Sequence, residues 1–137
     1  MATIEEALRT KLTGAAAVTA LLAASGAVYP LVIPQGSALP AIAYQRISTG
    51  RGAAHSSANG LAMPRMQFSC VAATYAAARA LANAVRQELD LYRGTVDGVW
   101  IDAIFVENEI DQFNFETDQN ESSYAVALDA IVWHAEA

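Results

Sequence analysis

Acidic side chains crowd into residues 107–121, where they could in principle bind a cation or carry out acid–base chemistry. The six carboxylates are Glu107, Glu109, Asp111, Glu116, Asp118 and Glu121. A calcium loop needs oxygen ligands at alternating positions, a glycine at the sixth position and a glutamate at the twelfth. Counted from Asp111, the third and fifth positions are Phe113 and Phe115, and the twelfth is Ser122. The template therefore fails, and the charge pattern favours a solvated acidic hairpin.

The two histidines have no partner of the kind that catalysis or metal binding requires. His55 lies in the stretch TGRGAAHSSANG, residues 49–60, and His134 lies close to the last residue. Neither has a cysteine or a second histidine at metal-ligand spacing, and the serines after His55 are not in a G-x-S-x-G turn. The sequence therefore predicts no enzyme, no cofactor and no metal site.

Arginines are the other candidates for interaction. Arg46, Arg51 and Arg65 fall on two expected strands and the loop between them, so a hairpin lining a pore would bring them to DNA phosphates or to an acidic partner. The alternative is that these arginines face solvent or form salt bridges between subunits, which a net charge of −6 favours. The candidate interaction residues are Arg46, Arg51, His55, Arg65, Glu109, Asp111, Phe113 and Phe115.

These residues must be positioned by a central unit, residues 63–90, that reads as a strand followed at once by a helix. Met66, Phe68, Cys70 and Ala72 alternate with more polar neighbours, as in a half-buried strand. Thr74 is a typical helix N-cap. Beyond it, apolar residues recur every three or four positions at Ala78, Leu81, Ala82, Val85, Leu89 and Tyr92. Alanines off this stripe, at positions 76, 77, 80 and 84, form a face that another subunit could approach closely.

The amino-terminal part of the chain predicts two helices. Thr3 and Glu6 have the spacing of a capping box, so a helix should begin at Ile4. Gly14 interrupts it, a second short helix follows over residues 15–24, and Gly26 should end that helix as a left-handed cap.

The rest of the chain reads as strands and turns. Strands are expected over residues 28–34, 41–48, 99–107 and 123–134, with turns at 35–40 and 94–98. Prolines at positions 30 and 34 make the first of these an edge strand or an extended arm. Residues 49–60 should be a long, mobile hairpin tip.

This order predicts one α+β domain over residues 1–137. Its antiparallel or mixed β-sheet should have about four to five strands, with amino-terminal helices and one long central helix packed mainly on one face. A hydrophobic fraction of 54% against 16% charged residues indicates apolar surface buried between copies of the chain. The longest clean apolar run, residues 15–24, is far shorter than the ~20 residues of a membrane span, so we expect no membrane partner.

Three passages together resemble one family, the phage and prophage tail-completion proteins. They are VYPLVIPQGSALPAIAYQRIS, MQFSCVAATYAAARALANAVRQELD and SYAVALDAIVW. The motifs that match in order are Tyr29-Pro30, Pro34-Gln35-Gly36, Pro40 and Gln45-Arg46-Ile47-Ser48. The resemblance spans nearly the whole chain, apart from residues 49–62 and the acidic hairpin.

The resemblance implies a structural virion protein, similar to the tail terminators at the head-proximal end of a tail tube. Such subunits form a ring, commonly a hexamer, and the implied partners are other copies of the chain, the tail tube protein and the head–tail connector. DNA would pass through the ring, and assembly would take place in the host cytoplasm. The family supplies no catalytic residues. The alternative is a small protein-binding or regulatory module whose acidic hairpin mimics an anionic partner.

Overall fold

The computed structural model describes residues 3–53, 58–116 and 121–135, and the side chains of residues 3–50, 62–112 and 123–135. Its helices are α1 (Ile4–Thr13), α2 (Ala16–Thr19) and α3 (Tyr75–Leu89). Its strands are β1 (Val28–Pro30), β2 (Ala41–Ala53), β3 (Ala58–Ala72), β4 (Gly94–Val96), β5 (Val99–Glu116) and β6 (Glu121–Ala135). The predicted α+β class is confirmed.

All six strands form one mixed sheet in the order β1-β2-β3-β6-β5-β4. β1 runs parallel to β2, and every other neighbouring pair is antiparallel. The predicted count of four to five strands is too low because β4 lies where a turn was expected. Its three residues pair with Val99, Trp100 and Ile101 around the Asp97–Gly98 turn, a pairing too short to leave a periodic signal.

Local hydrogen bonding explains where α1 begins. The Thr3 hydroxyl accepts a hydrogen bond from the Glu6 N–H at 3.2 Å, as the capping-box spacing predicts. The apolar face of α1 is buried against the sheet through Ile4, Ala7, Leu8 and Leu12.

The second predicted helix is mostly wrong. α2 covers four residues and has no side-chain N-cap. Gly26 does not adopt a left-handed conformation. Its carbonyl instead accepts a hydrogen bond from the Arg9 guanidinium at 3.2 Å, and that of Val28 accepts another at 3.0 Å. Arg9 thus ties α1 to the segment that leads into β1.

α3 follows β3 as the sequence predicts. The Thr74 hydroxyl accepts from the Ala77 N–H at 3.2 Å, and the helix buries the stripe Ala78, Leu81, Ala82, Val85 and Leu89. Tyr92 lies beyond the helix end, half-buried beneath the Lys11 ammonium, which is 3.5 Å from the ring centroid. Ala77 and Ala84 pack against the core, so the expected open alanine face is reduced to Ala76 and Ala80.

The β2–β3 hairpin is longer than predicted. Residues 49–53 and 58–60, expected to be part of a mobile loop, are strands, with Gly50 opposite Met63 and Ala53 opposite Ala58. The loop prediction is therefore wrong for these residues. Strand pairing uses backbone groups, so a segment rich in glycine and serine can adopt it when a partner strand is held alongside.

The acidic segment is also built from strands. β5 continues to Glu116, ten residues beyond Val106, and pairs with β6 up to the Glu116–Glu121 pair. The two long hairpins point in opposite directions: Leu61, near the β2–β3 tip, lies opposite Ala135, whereas Ala72 lies opposite Tyr124 near the start of β6. The tips themselves, residues 54–57 and 117–120, lie outside the described residues.

The core lies between the helices and one face of the sheet. β3 contributes Met66, Phe68, Cys70 and Ala72 to it, all from the face that the period of two predicts. β6 contributes Val126, Leu128, Ala130 and Val132 from the same face. Among the described residues, no helix has the length and apolar character needed to cross a membrane.

Candidate interaction surfaces

One face of the sheet carries no helix, and we call it the outer face. Side chains of alternate residues on β2, β3 and β6 meet there in a polar ladder. The Gln45 amide donates to Gln67 Oε1 at 3.0 Å, and the Gln67 amide donates to Asp129 Oδ1 at 3.2 Å. Sequence reasoning missed this ladder, because the alternation places each residue on a face but does not reveal which residues of other strands stand opposite.

Arg46 turns toward the helical side of the sheet. Its Nε donates to Glu5 Oε1 of α1 at 2.8 Å, and its Nη1 donates to Thr49 Oγ1 at 2.8 Å. The side chain is 31% exposed. Arg46 therefore joins β2 to the start of α1 and presents only part of its charge to solvent.

Arg65 points to the outer face instead. Its Nη2 lies 3.0 Å from Glu107 Oε1, in an ion pair that spans β6 from β3 to β5. The two arginines thus diverge although β2 and β3 are neighbours. Arg51 lies in β2 opposite Ala62, with its side chain outside the described set. The described residues do not bring the three arginines into one patch.

Glu109 and Asp111 are held by α3. Glu109 contacts Arg79 Nη2 at 3.1 Å and Arg86 Nε at 3.4 Å. Asp111 accepts from the Tyr75 hydroxyl at 2.8 Å and lies 3.5 Å from Arg79 Nη1. The two carboxylates therefore fasten the projecting part of β5 to the helix.

Hydrogen bonding within this cluster shifts two pKa values. The bond to Asp111 raises the pKa of the Tyr75 phenol, because it stabilises the protonated hydroxyl. The bond to Glu109 raises the pKa of the Arg79 guanidinium. Both shifts favour the protonated form of the donor, so Tyr75 and Arg79 act here as hydrogen-bond and ion-pair donors to the two carboxylates.

Phe113 and Phe115 belong to β5, where they stand opposite Tyr124 and Ser122. Their side chains lie outside the described set. His55 lies outside the described residues altogether. As interaction residues, these three stay predictions.

Exposed apolar side chains occur in the segment after β1 and on the two long hairpins. The segment after β1 carries Leu31, 68% exposed, and Val32, 71% exposed. Ile47 on β2 and Ile110 on β5 are 49% and 43% exposed. The first pair lies within residues 28–34, predicted to be an edge strand or an extended arm. The isoleucines were missed because a strand pattern cannot tell a covered face from an open one.

The described residues contain little that could do covalent chemistry. They hold no group of three or more His, Cys, Asp and Glu side chains arranged to bind a metal ion. Cys70 is fully buried, and desolvation raises the pKa of its thiol to about 12, so the nucleophilic thiolate is scarce. The ring of His134 is buried as well, with Nδ1 2.9 Å from the Ala135 carbonyl oxygen. Cys70 and His134 are therefore parts of the packed interior.

Comparison with known proteins gives a family and a fold. The family model for tail completion protein gp17 matches residues 6–133. Among solved structures, the chain is similar to one in the "Virion of native gene transfer agent (GTA) particle", with a TM-score of 0.73 and 18% identity. That match covers 96% of this chain and 94% of the other, and at this identity it shows the fold alone. No curated protein sequence matches the chain.

Proposed function

Since the chain belongs to the family of tail completion protein gp17, we propose that it is a tail terminator subunit that forms a ring, expected to be a hexamer, at the head-proximal end of a phage-type tail tube. The family match over residues 6–133 carries this proposal. The role is structural and non-enzymatic. Its partners are further copies of the chain, the tail tube protein and the head–tail connector, and its place is the virion.

The surface of the subunit suits a part that contacts several neighbours. Two long hairpins project from opposite ends of the sheet, and exposed apolar residues accompany them at Ile47 and Ile110. Large apolar side chains are unfavourably exposed to water in a monomer, whereas a subunit of an assembly buries them against its neighbours. The hairpins thus offer one contact surface toward the tube and another toward the connector.

Charge is compatible with DNA passing through the ring. The chain carries a net charge of −6, and the arginines of the described part at positions 46, 65, 79 and 86 are paired with carboxylates. Phosphate binding rises with the number of unpaired cations available. A ring of such subunits would let DNA slide through with little retention.

Deletion of the gene in the genome that encodes the particle tests this function. We expect separated heads and tails in electron micrographs, with tails of irregular length, and restoration of joined particles when the gene is supplied in trans. A stop codon near the start of the gene controls for effects on neighbouring genes. Normally joined, infectious particles in the deletion strain would overturn the proposal.

A further inference from the structure

The edge of the sheet at β2 is stepped. β1 covers only Ile42, Ala43 and Tyr44 of β2, and the last backbone bond at this edge runs from the Leu31 N–H to the Tyr44 carbonyl at 2.7 Å. On this side, nothing in the described chain pairs with the rest of the strand, residues 45–53, whose other side pairs with β3. A bulge at Ile47 marks the change. We call β1 with this uncovered stretch the β2 edge.

The opposite edge of the sheet has the same construction. β4 covers only Val99, Trp100 and Ile101 of β5. The last bonds at this edge join the Leu91 N–H to the Ile104 carbonyl at 2.7 Å and the Val106 N–H to Asp90 Oδ1 at 3.0 Å. Beyond them, no described residue pairs with this side of residues 107–116, whose other side pairs with β6, and a bulge again falls at the boundary. We call β4 with this stretch the β5 edge.

The strand register shows that the two steps are inverse to one another. Across the sheet, Ile42 is in line with Cys70, Val126 and Asp111, so β1 stands at the level of the uncovered part of β5. On the other side, Ile101 is in line with His134, Ala62 and Arg51, so β4 stands at the level of the uncovered part of β2. Where one edge projects, the other is recessed.

Apolar side chains lie where such edges would meet. Leu31 and Val32 leave the end of β1, and Ile110 on the uncovered part of β5 is in line across the sheet with Tyr29, two residues before Leu31. Pro30 has no N–H, and its carbonyl accepts a hydrogen bond from the Val32 N–H. The unpaired edge of β1 is therefore poorly suited to backbone hydrogen bonding with another strand. Side-chain packing would therefore carry this half of the contact.

Formal charge favours contact between unlike edges. Residues 45–53 contain two arginines and no acid, whereas residues 107–116 contain four carboxylates and no base. Part of the charge on each edge is balanced within the subunit, by Glu5 at Arg46 and by Arg65, Arg79 and Arg86 at the acids. Two β2 edges or two β5 edges would still bring like charges together, which disfavours a two-fold contact.

From these observations we propose that the β2 edge of one copy docks into the β5 edge of the next. Leu31 and Val32 of one copy pack against Ile110 of the other, and the uncovered part of β2 receives β4. A contact between two different edges repeats head to tail and closes into a ring when the rotation per copy allows it. The proposal rests on the proposed ring function and assigns the surface through which the ring forms.

Charge substitutions at the two exposed sites test the pairing. V32E places a carboxylate opposite the acidic β5 edge, and I110K places an ammonium in the apolar contact, so each variant should weaken self-association roughly tenfold or more. When the two variants alternate in an assembly, two kinds of contact result. In one, the glutamate of V32E meets the lysine of I110K, and in the other, Val32 and Ile110 meet unaltered. We therefore expect the mixture to recover the wild-type mass by light scattering.

Two variants on the exposed side of α3, N83K and Q87E, serve as controls and should assemble like the wild type. Circular dichroism confirms that each variant folds. Loss of assembly in only one of V32E and I110K, or no recovery on mixing, would overturn the pairing while leaving the tail function standing. A wild-type chain that restores tail joining but stays monomeric, alone and on tail tubes, would also overturn it. Failure to restore joining at all would instead count against the proposed function.

Discussion

Leu91 has a strained backbone conformation at the point where the chain leaves α3. It comes directly after Asp90, the C-cap of α3, and its φ of 63° is a left-handed conformation. Its side chain is 72% exposed. This is the position after a helix C-cap where glycine is usually found. The backbone is held there because the Leu91 N–H bonds to the Ile104 carbonyl. The residue therefore fixes how α3 turns toward β5 without contributing much buried apolar area.

Replacing this leucine by glycine should stabilise the protein. L91G removes a left-handed penalty of about 1–2 kcal/mol, offset by about 0.5–1 kcal/mol of extra backbone entropy in the unfolded chain. We expect the free energy of unfolding in urea to rise by about 0.5–1 kcal/mol. L21G is the control, since Leu21 is 37% exposed without a positive φ, and should lower the same quantity. Equal losses in both variants would refute the strain.

The Cys70 thiol predicts a pH dependence in alkali. Its pKa is raised from 9.0 to about 12 in the folded chain by burial, so the unfolded chain releases the proton first as pH increases. The stability contribution is fully present below pH 9 and is lost between about pH 9 and 12, by at most about 1.4 kcal/mol per pH unit. C70A should show a shallower decline in unfolding free energy over this range. Identical slopes for both proteins would contradict the shift.

Elements differ in how far the sequence alone could predict them. The α1 and α3 starts follow from Thr3 and Thr74 because a cap is a local hydrogen bond between residues three apart. The buried side of β3 follows from its period of two, because alternate side chains of a strand point to opposite faces. Residues 49–53 were misassigned because their strand state depends on a partner strand that composition does not reveal.

The candidate site was harder to predict than the elements. The sequence singled out Glu109 and Asp111 as solvated acids, yet their partners Arg79 and Arg86 come from a helix 23 to 32 residues earlier in the chain. Likewise, the inverse steps of the two edges arise from the order of six strands, which no single segment contains. Contacts between distant segments are set by topology, and the local pattern holds no information about them.

Arg79 should hold the projecting part of β5 against α3. Its pairs with Glu109 and Asp111 are about one-third exposed at the arginine, so each contributes only about 0.2–1 kcal/mol. R79M should therefore lower the global unfolding free energy by less than about 1 kcal/mol, yet speed amide hydrogen exchange in residues 108–112 by roughly two- to fivefold.

The matched control is R93M, because Arg93 is 68% exposed and 3.7 Å from Asp102, outside the cluster. It should leave exchange in residues 108–112 unchanged. Equal exchange in R79M and the wild type would show that β6 pairing alone holds this part of β5.

At the scale of the whole molecule, a mixed six-stranded sheet carries helices on one face and long hairpins at two opposite ends. The helices and the inner face form the core, which leaves the outer face, the hairpins and the two stepped edges for neighbours. Membership in the family of tail completion protein gp17 agrees with such a division between a buried core and several contact surfaces. Under the proposed function, the subunit acts through the positions it holds in an assembly.

The position of the protein in the particle tests that view most directly. A short epitope fused on the carboxyl-terminal side of β6, which ends at Ala135, can be located by immunogold electron microscopy on intact particles and on isolated tails. We expect label at the junction of head and tail, and at the head-proximal end of tails that lack heads. Label along the tube, at the distal tip, or absent from particles whose assembly depends on the tagged chain would contradict the tail terminator role.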